Sequence, residues 1–351
     1  MSARLGLAAV ASFLLLCFAS CAERDPRPTI TLYSSVDDYV LREVVAAFEA
    51  QTGIAVDVLG DTEATKTFGL VERLLAERES PQADVWWSSE PFGTIRLDDA
   101  GVFRSYPPGA PAGWPETLVG PEARWIGLAE RARVIAYNTE LVDEADVPTR
   151  LRDLMDDDWR GRVGIARPEF GTTRGHVAAL THAVGAEATR VWLERLVGSR
   201  LRVYDGNAAA VRAVAQGEIA LCLTDTDDVW AGQRNGWPVA LVYETIDDAE
   251  TIAGLDTRAG DLPSLGALVL PNTVALVGQD DNPEAVEFVA WLLSGEAERI
   301  MARSDSRNIP VDAEVLAEFA ELAVPTPWRV DLPVVARAMP QAMGVAASAL
   351  D

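Results

Sequence analysis

The first hundred residues set apolar and polar positions in a regular succession. Residues 29–33 alternate and are rich in β-branched side chains, as in a strand. Residues 40–51 put Val40, Leu41, Val44, Val45 and Phe48 on one helical face. Gly53 follows, free to take the left-handed conformation that ends helices. Residues 54–59 read as a second strand, 62–79 as a second amphipathic helix and 83–87 as a third strand. A β-α-β-α-β order requires a parallel sheet with right-handed crossovers. The strand ends at 34–37 and 88–90 then lie side by side at the sheet's carboxyl edge, where open α/β sheets take ligands.

Further on, 125–137 is apolar and β-like with Arg131 and Arg133 embedded two apart, hence on one face. Helices are expected over 149–159, 172–184, 186–197 and 207–215, and strands over 163–166, 202–204, 219–223 and 239–243. Two more strands, 266–269 and 274–277, precede a long amphipathic helix over 283–303 and a mainly helical tail with proline breaks. The 219–223 strand runs at once into Asp225, Asp227 and Asp228. Carboxylates crowded at a strand end repel one another and lose hydration, which disfavours a core and suits a bound cation. A solvated turn is the plainer alternative, since Asp and Thr favour turns.

At 351 residues the chain exceeds one ordinary core, so two domains are expected. A net charge of −24 argues against nucleic-acid partners, whose phosphates need Lys and Arg. Cys17, Cys21 and Cys222 leave no disulfide pair once a leader is removed, and no Cys/His cluster has zinc spacing. Arg4 precedes an apolar run over 5–18 and then Ala19-Ser20-Cys21, the anatomy of a secretory signal. The Phe18-Ala19-Ser20-Cys21 ending resembles a bacterial lipobox, with Phe18 where Leu is preferred. It implies a signal peptide over 1–21, lipid modification at Cys21, a polar tether over 22–28 and a membrane-anchored lipoprotein at the periplasm or cell surface.

Several motifs together resemble the periplasmic solute-binding proteins of bacterial ABC importers, of the ferric-iron-binding type. They include Ile30-Thr31-Leu32-Tyr33-Ser34, Phe48-Glu49-Ala50-Gln51-Thr52-Gly53-Ile54, Ala83-Asp84-Val85-Trp86-Trp87-Ser88, Arg131-Ala132-Arg133-Val134, Gly161-Arg162-Val163-Gly164, Gly217-Glu218-Ile219 and Gly266-Ala267-Leu268-Val269. The resemblance implies a type II periplasmic-binding-protein fold: two α/β lobes, two crossing hinge strands and a ligand cleft between. The crossings would fall near 131–136 and 261–268, with lobes of 29–130 plus 262–300 and 131–261 plus 301–351.

Position by position, the family's His after the first strand is Asp37 here. Its Glu after the third strand aligns with Ser89, beside Glu90. Its adjacent Tyr pair is Asp227-Asp228. Its bound anion would touch Gly171, Thr172, Thr173, Asn207 and Asp225, with Arg131 or Arg133 as the basic partner. Ser34, Ser35 and Trp230 complete the ligand-binding candidates. Loss of both phenols weakens the ferric assignment. Asp37, Glu90, Asp227 and Asp228 form an all-oxygen set suited to a hard cation, iron included.

The implied function is capture of a metal ion, with a possible accompanying anion, by a monomer that closes about its hinge and delivers the ion to a permease and ATPase. No cofactor is required. One alternative is a small organic solute, either an anion or a cation walled by Tyr33, Trp86, Trp87 or Trp230. Another is a haloacid-dehalogenase-type phosphatase, with Asp225 as nucleophile, Asp227 as acid/base and Asp247-Asp248 as the later acidic motif. That motif normally opens its domain and needs a downstream Lys or Arg. Glu90 before Pro91, and Asp37 or Asp38, read equally well as helix caps.

Overall fold

The computed structural model describes residues 27–61, 68–169 and 171–350. Residues 1–26, with the expected signal, most of the tether and Cys21, lie outside that set, as does 62–67 at the start of the second expected helix.

The chain opens with β1 (Thr29–Ser34), α1 (Asp38–Thr52), β2 (Ala55–Gly60), α2 (Phe68–Ala76), β3 (Val85–Ser88), α3 (Pro91–Asp99) and β4 (Phe103–Arg104). A long β5 (Ile126–Asn138) leads to β6 (Val163–Ala166), α4 (Gly171–Val184), α5 (Ala186–Gly198), β7 (Arg202–Tyr204), α6 (Asn207–Ala215), β8 (Leu221–Asp225), α7 (Thr226–Arg234) and β9 (Val239–Val242). Then come α8 (Ala249–Gly254), β10 (Ala267–Val277), α9 (Pro283–Leu292), α10 (Gly295–Arg303), α11 (Ala313–Glu318), β11 (Pro327–Trp328) and α12 (Leu332–Leu350).

The expected parallel start is present: β1 lies between β2 and β3, parallel to both. Val40, Leu41, Val44, Val45 and Phe48 are the buried face of α1, and Gly53 closes it at φ 75°. The strands run β2-β1-β3-β10-β5-β8-β6-β7. Continuity through the middle rests on β5 and β10. From Ile126 to Ala132 β5 pairs with β10, and from Arg133 onward it pairs with β8 and β9. β10 in turn pairs with β3 beyond Asn272. Two strands thus carry the chain between an α/β lobe built on β1–β3 and another built on β6–β8. This is the two-lobed, hinge-strand architecture.

The crossing is irregular. Ala129 sits at φ 42°, a left-handed value costly for a residue with a Cβ, and the β5–β10 register shifts between Pro271 and Asn272. Side chains replace the interrupted ladder. The Asn272 amide donates to the Ala129 carbonyl, Arg131 Nη2 donates to Asn272 Oδ1 at 2.8 Å, and the Ala129 N–H donates to Glu298 at 3.2 Å.

Several expectations are corrected. The two short strands at 266–277 are one strand, because Pro271 occupies the bulge where a missing N–H is tolerated. The long helix over 283–303 is two, split where Ser294 caps α10. The helix over 149–159 is two 3₁₀ turns, Leu151–Met155 and Asp157–Trp159, separated by extended Asp156. In α12 the helix continues through Pro340. Trp86 and Trp87, which alternate across β3 and were expected as cleft walls, are both fully buried.

Near the start of β10, Glu244 is buried and receives the Ser264 hydroxyl at 2.9 Å. Burial pushes its carboxyl from 4.5 up to about 8, against the Ser264 and Leu265 hydrogen bonds. The folded chain therefore holds a proton that the unfolded chain releases, and stability falls as pH rises from about 4.5 to about 8. Glu244→Gln should remove that slope. Between pH 5 and 8.5 the parent should lose on the order of 2–4 kcal/mol more than the variant in denaturant melts.

Candidate functional site in the interlobe cleft

A cavity of ≈ 250 Å³ opens between the lobes, and its walls come from element ends. The β1 lobe contributes Asp37 and Tyr39 at the start of α1, and Ser89 and Glu90 after β3. The β6 lobe contributes Gly171, Thr172 and Thr173 at the start of α4, Asn207 at the start of α6, Asp225 closing β8, and Asp227 and Asp228 in the first turn of α7. Arg131 projects from the crossing strand. The acid-rich stretch is therefore neither a loop nor a solvated turn. It is a strand end feeding a helix N-terminus, where the peptide dipoles favour negative charge.

Two buried ion pairs organise the floor. Arg131 Nη1 meets Asp227 Oδ2 at 2.8 Å, and Arg133 Nη1 meets Asp225 Oδ1 at 2.8 Å. Arg133 and Asp225 are directly opposed in the antiparallel β5–β8 register, so sheet pairing alone aligns them. Asp225 Oδ2 also accepts from the Thr172 hydroxyl and, at 2.9 Å, from the Asn207 amide. Burial acts to lower the Arg131 pKa, but Asp227, Asp225, Asp37 and Asp228 outweigh it and hold the guanidinium above its ordinary value. Oxygens of Asp225, Asp227 and Asp228 lie within 4.8 Å of one another, close enough to share a cation.

The other candidates have definite places. Glu90 caps α3: Oε2 accepts the Phe92 N–H at 2.7 Å and Oε1 the Gly93 N–H at 2.9 Å. Burial raises its pKa, opposed by those two bonds and then by Arg174 and Arg131. Ser34 and Ser35 are buried behind the wall, where Ser35 Oγ accepts the Ser89 N–H at 3.1 Å and so positions it. Arg133 lies beneath Asp225 rather than on the cavity surface. Trp230 does not line the cavity; its ring carries the Arg307 guanidinium at 5.0 Å. Tyr33, Trp86 and Trp87, expected as aromatic walls, are core residues, so that cage for an organic cation is absent among the described residues.

Tyr39 was not singled out in the sequence, although it lies two residues after Asp37. It is 43% exposed at the cavity. Desolvation, then the charges of Asp37, Asp227 and Asp228, hold its phenol well above the ordinary range. Arg167, Asp205, Arg212 and Trp237 also line the rim, scattered through sequence with no shared motif. Of the acidic pair proposed for a phosphatase, Asp247 is clamped by Arg152 at 2.6 and 2.9 Å and Asp248 caps α8; neither lines the cavity. His176 is buried and stays neutral, its pKa lowered to about 3 by burial and then by the Arg133 charge.

Residues 43–326 match the family model of bacterial extracellular solute-binding proteins. The chain belongs to that family. It is 29% identical over 302 residues to iron uptake protein A1 of a Synechocystis species, covering 83% of this chain and 79% of that protein. It is 26% identical over 313 residues to the major ferric iron-binding protein of Neisseria meningitidis, covering 88% of each. Among solved structures, iron-bound HitA from Pseudomonas aeruginosa superposes with a TM-score of 0.71 at 28% identity, over 91% of this chain and 99% of that one. Apo ferric ion-binding protein A from Pasteurella haemolytica shares the fold at a TM-score of 0.75 and 18% identity, over 92% and 98%. A solute-binding protein of this kind supplies a ligand to an importer. Among the described residues, no helix is long and apolar enough to cross a membrane.

Proposed function

We propose that this protein captures a hard metal cation, iron foremost, between its lobes and hands it to the permease and ATPase of an ABC importer. The observation that carries this reading is the convergence of Asp227 and Asp228 from one lobe with Asp37 and Tyr39 from the other on a single cavity. The relatives named for iron uptake and ferric binding support iron as cargo. A cation recruits carboxylates from both walls, and neutralising their repulsion favours the closed arrangement. Hinge bending would take place on β5 and β10, with lobes of 29–130 plus 262–300 and 131–261 plus 301–351. Glu90, both oxygens committed to its helix cap, is not counted among the direct ligands. The protein is a binding component and not an enzyme: both Asp225 oxygens are engaged by Arg133, Thr172 and Asn207, unlike those of a nucleophile awaiting substrate. Export as a lipoprotein through Cys21 would keep it beside its permease.

Tyr39 gives the reading an optical test. A phenol bound to ferric ion loses its proton and gives a visible charge-transfer band. Titration with ferric citrate should develop such a band in the parent. Tyr39→Phe should lose the band and bind iron about tenfold more weakly. An unchanged band in the variant removes Tyr39 from the ligand set; chelator-reversible binding lost from both proteins would remove the metal reading itself.

A further inference from the structure

We infer that Asp225 is a built-in counter-anion, so that the cleft takes its cation without an accompanying free anion. This rests on the metal reading above and decides what travels with the ion. The groups around Asp225 form a complete oxyanion receptor. They are a guanidinium only 4% exposed, a hydroxyl in the first turn of the fourteen-residue α4 and an amide at the first residue of α6. Arg133 Nη1 donates to Oδ1 at 2.8 Å, and the Thr172 hydroxyl and Asn207 amide donate to Oδ2. These donors also bind one another: Arg133 Nη1 and Asn207 Nδ2 reach Thr172 Oγ1 at 3.2 and 3.1 Å. Helix N-termini and a buried guanidinium are what a small anion such as carbonate or phosphate would require. Here the chain supplies the anion itself, tethered to the last residue of β8 and aligned by the β5–β8 register. A diffusible anion would have to displace a carboxylate held by three donors and would face Asp227 and Asp228 at close range.

Arg133 gives a second, independent indication. Its Nε and Nη2 are buried without a hydrogen-bond partner among the described residues. Asp225 is thus the only carboxylate paired with this guanidinium among them. Removing that one charge should expose an unbalanced buried cation beside two helix starts, and an added oxyanion should then bind there.

The test uses inorganic phosphate and bicarbonate with no metal present. The parent should show no heat of phosphate binding and no change in melting temperature. Asp225→Asn should melt lower and be rescued by phosphate, binding it at one site at least about tenfold more tightly than the parent. Arg133→Gln/Asp225→Asn, lacking both charges, should show no rescue. In a parallel arm, the parent's affinity for ferric citrate, Mn²⁺ and Ca²⁺ should change less than about twofold on adding bicarbonate or phosphate. Stoichiometric phosphate binding by the metal-free parent, or cation affinity strengthened tenfold by either anion, would overturn the inference, as would a folded Asp225→Asn that ignores phosphate. If Asp225→Asn does not fold, the parent's two arms decide alone. Absence of cation binding in every buffer would instead count against the metal reading and leave the anion arm intact.

Discussion

Asp227→Asn/Asp228→Asn is expected to lose at least about 100-fold in cation affinity, read by calorimetry on protein stripped with chelator. Each change removes a full negative charge from the first turn of α7 while keeping side-chain shape. Oxygens of Asp225, Asp227 and Asp228 lie within 4.8 Å of one another, so a cation bound among them relieves the repulsion that the Arg131 and Arg133 pairs leave uncompensated. Arg131 offsets part of that repulsion through its 2.8 Å contact with Asp227. The single changes should therefore differ: Asp228→Asn should act mainly on binding, whereas Asp227→Asn should also lower stability by leaving Arg131 buried without its charged partner. Retention of parental affinity by the double variant would place the cation elsewhere. Tighter binding of an organic or inorganic anion by that variant would favour an anionic solute.

Arg133→Ala should produce the largest loss of stability, about 3–5 kcal/mol, because it strands Asp225 in the interior. In thermal melts that is a drop on the order of 10 °C. The surface supplies the contrast. Arg190 bridges Glu187 and Glu194 on one exposed helical face, and Arg190→Ala should leave the melting curve essentially where the parent's lies, since solvent screens such pairs. If the two variants melted alike, the pairing beneath the cleft would not hold the second lobe in register. Because Asp225, Asp227 and Asp228 stand on that lobe, Arg133→Ala should also weaken cation binding indirectly, which Arg190→Ala should not.

The elements most readable in the sequence were those whose pattern and burial agree locally. β1, α1 and Gly53 follow from alternation, helical spacing and one left-handed residue, and α6 follows from a run of small apolar residues after Asn207. Legibility failed where a tertiary contact overrides the local signal. Pro271 reads as a strand break, yet it sits within a long crossing strand whose neighbours absorb the bulge. Trp86 and Trp87 alternate across β3, yet both rings are fully buried, so the strand is covered on both faces. The same division holds for the site. Asp225, Asp227 and Asp228 announce themselves by crowding, and the strand-end rule brings Asp37, Ser89 and Glu90 to the same cavity. What sequence did not contain was the pairing: that Arg133 faces Asp225, that Arg131 reaches Asp227, and that Glu90 spends its carboxylate on a helix cap. Those facts depend on register and on helix entry angles. Tyr39 was missed because an aromatic two residues into a helix carries no chemical signal until the opposite lobe stands across from it.

The most direct measurement is calorimetric titration of the chelator-stripped protein with ferric citrate, Fe²⁺, Mn²⁺ and Ca²⁺ in turn, each reversed by chelator. The expected result is one-to-one binding that is tightest for iron. No heat with any of the four cations, from a protein that melts cooperatively, would contradict a metal cargo and turn the search to small organic solutes in the same cleft.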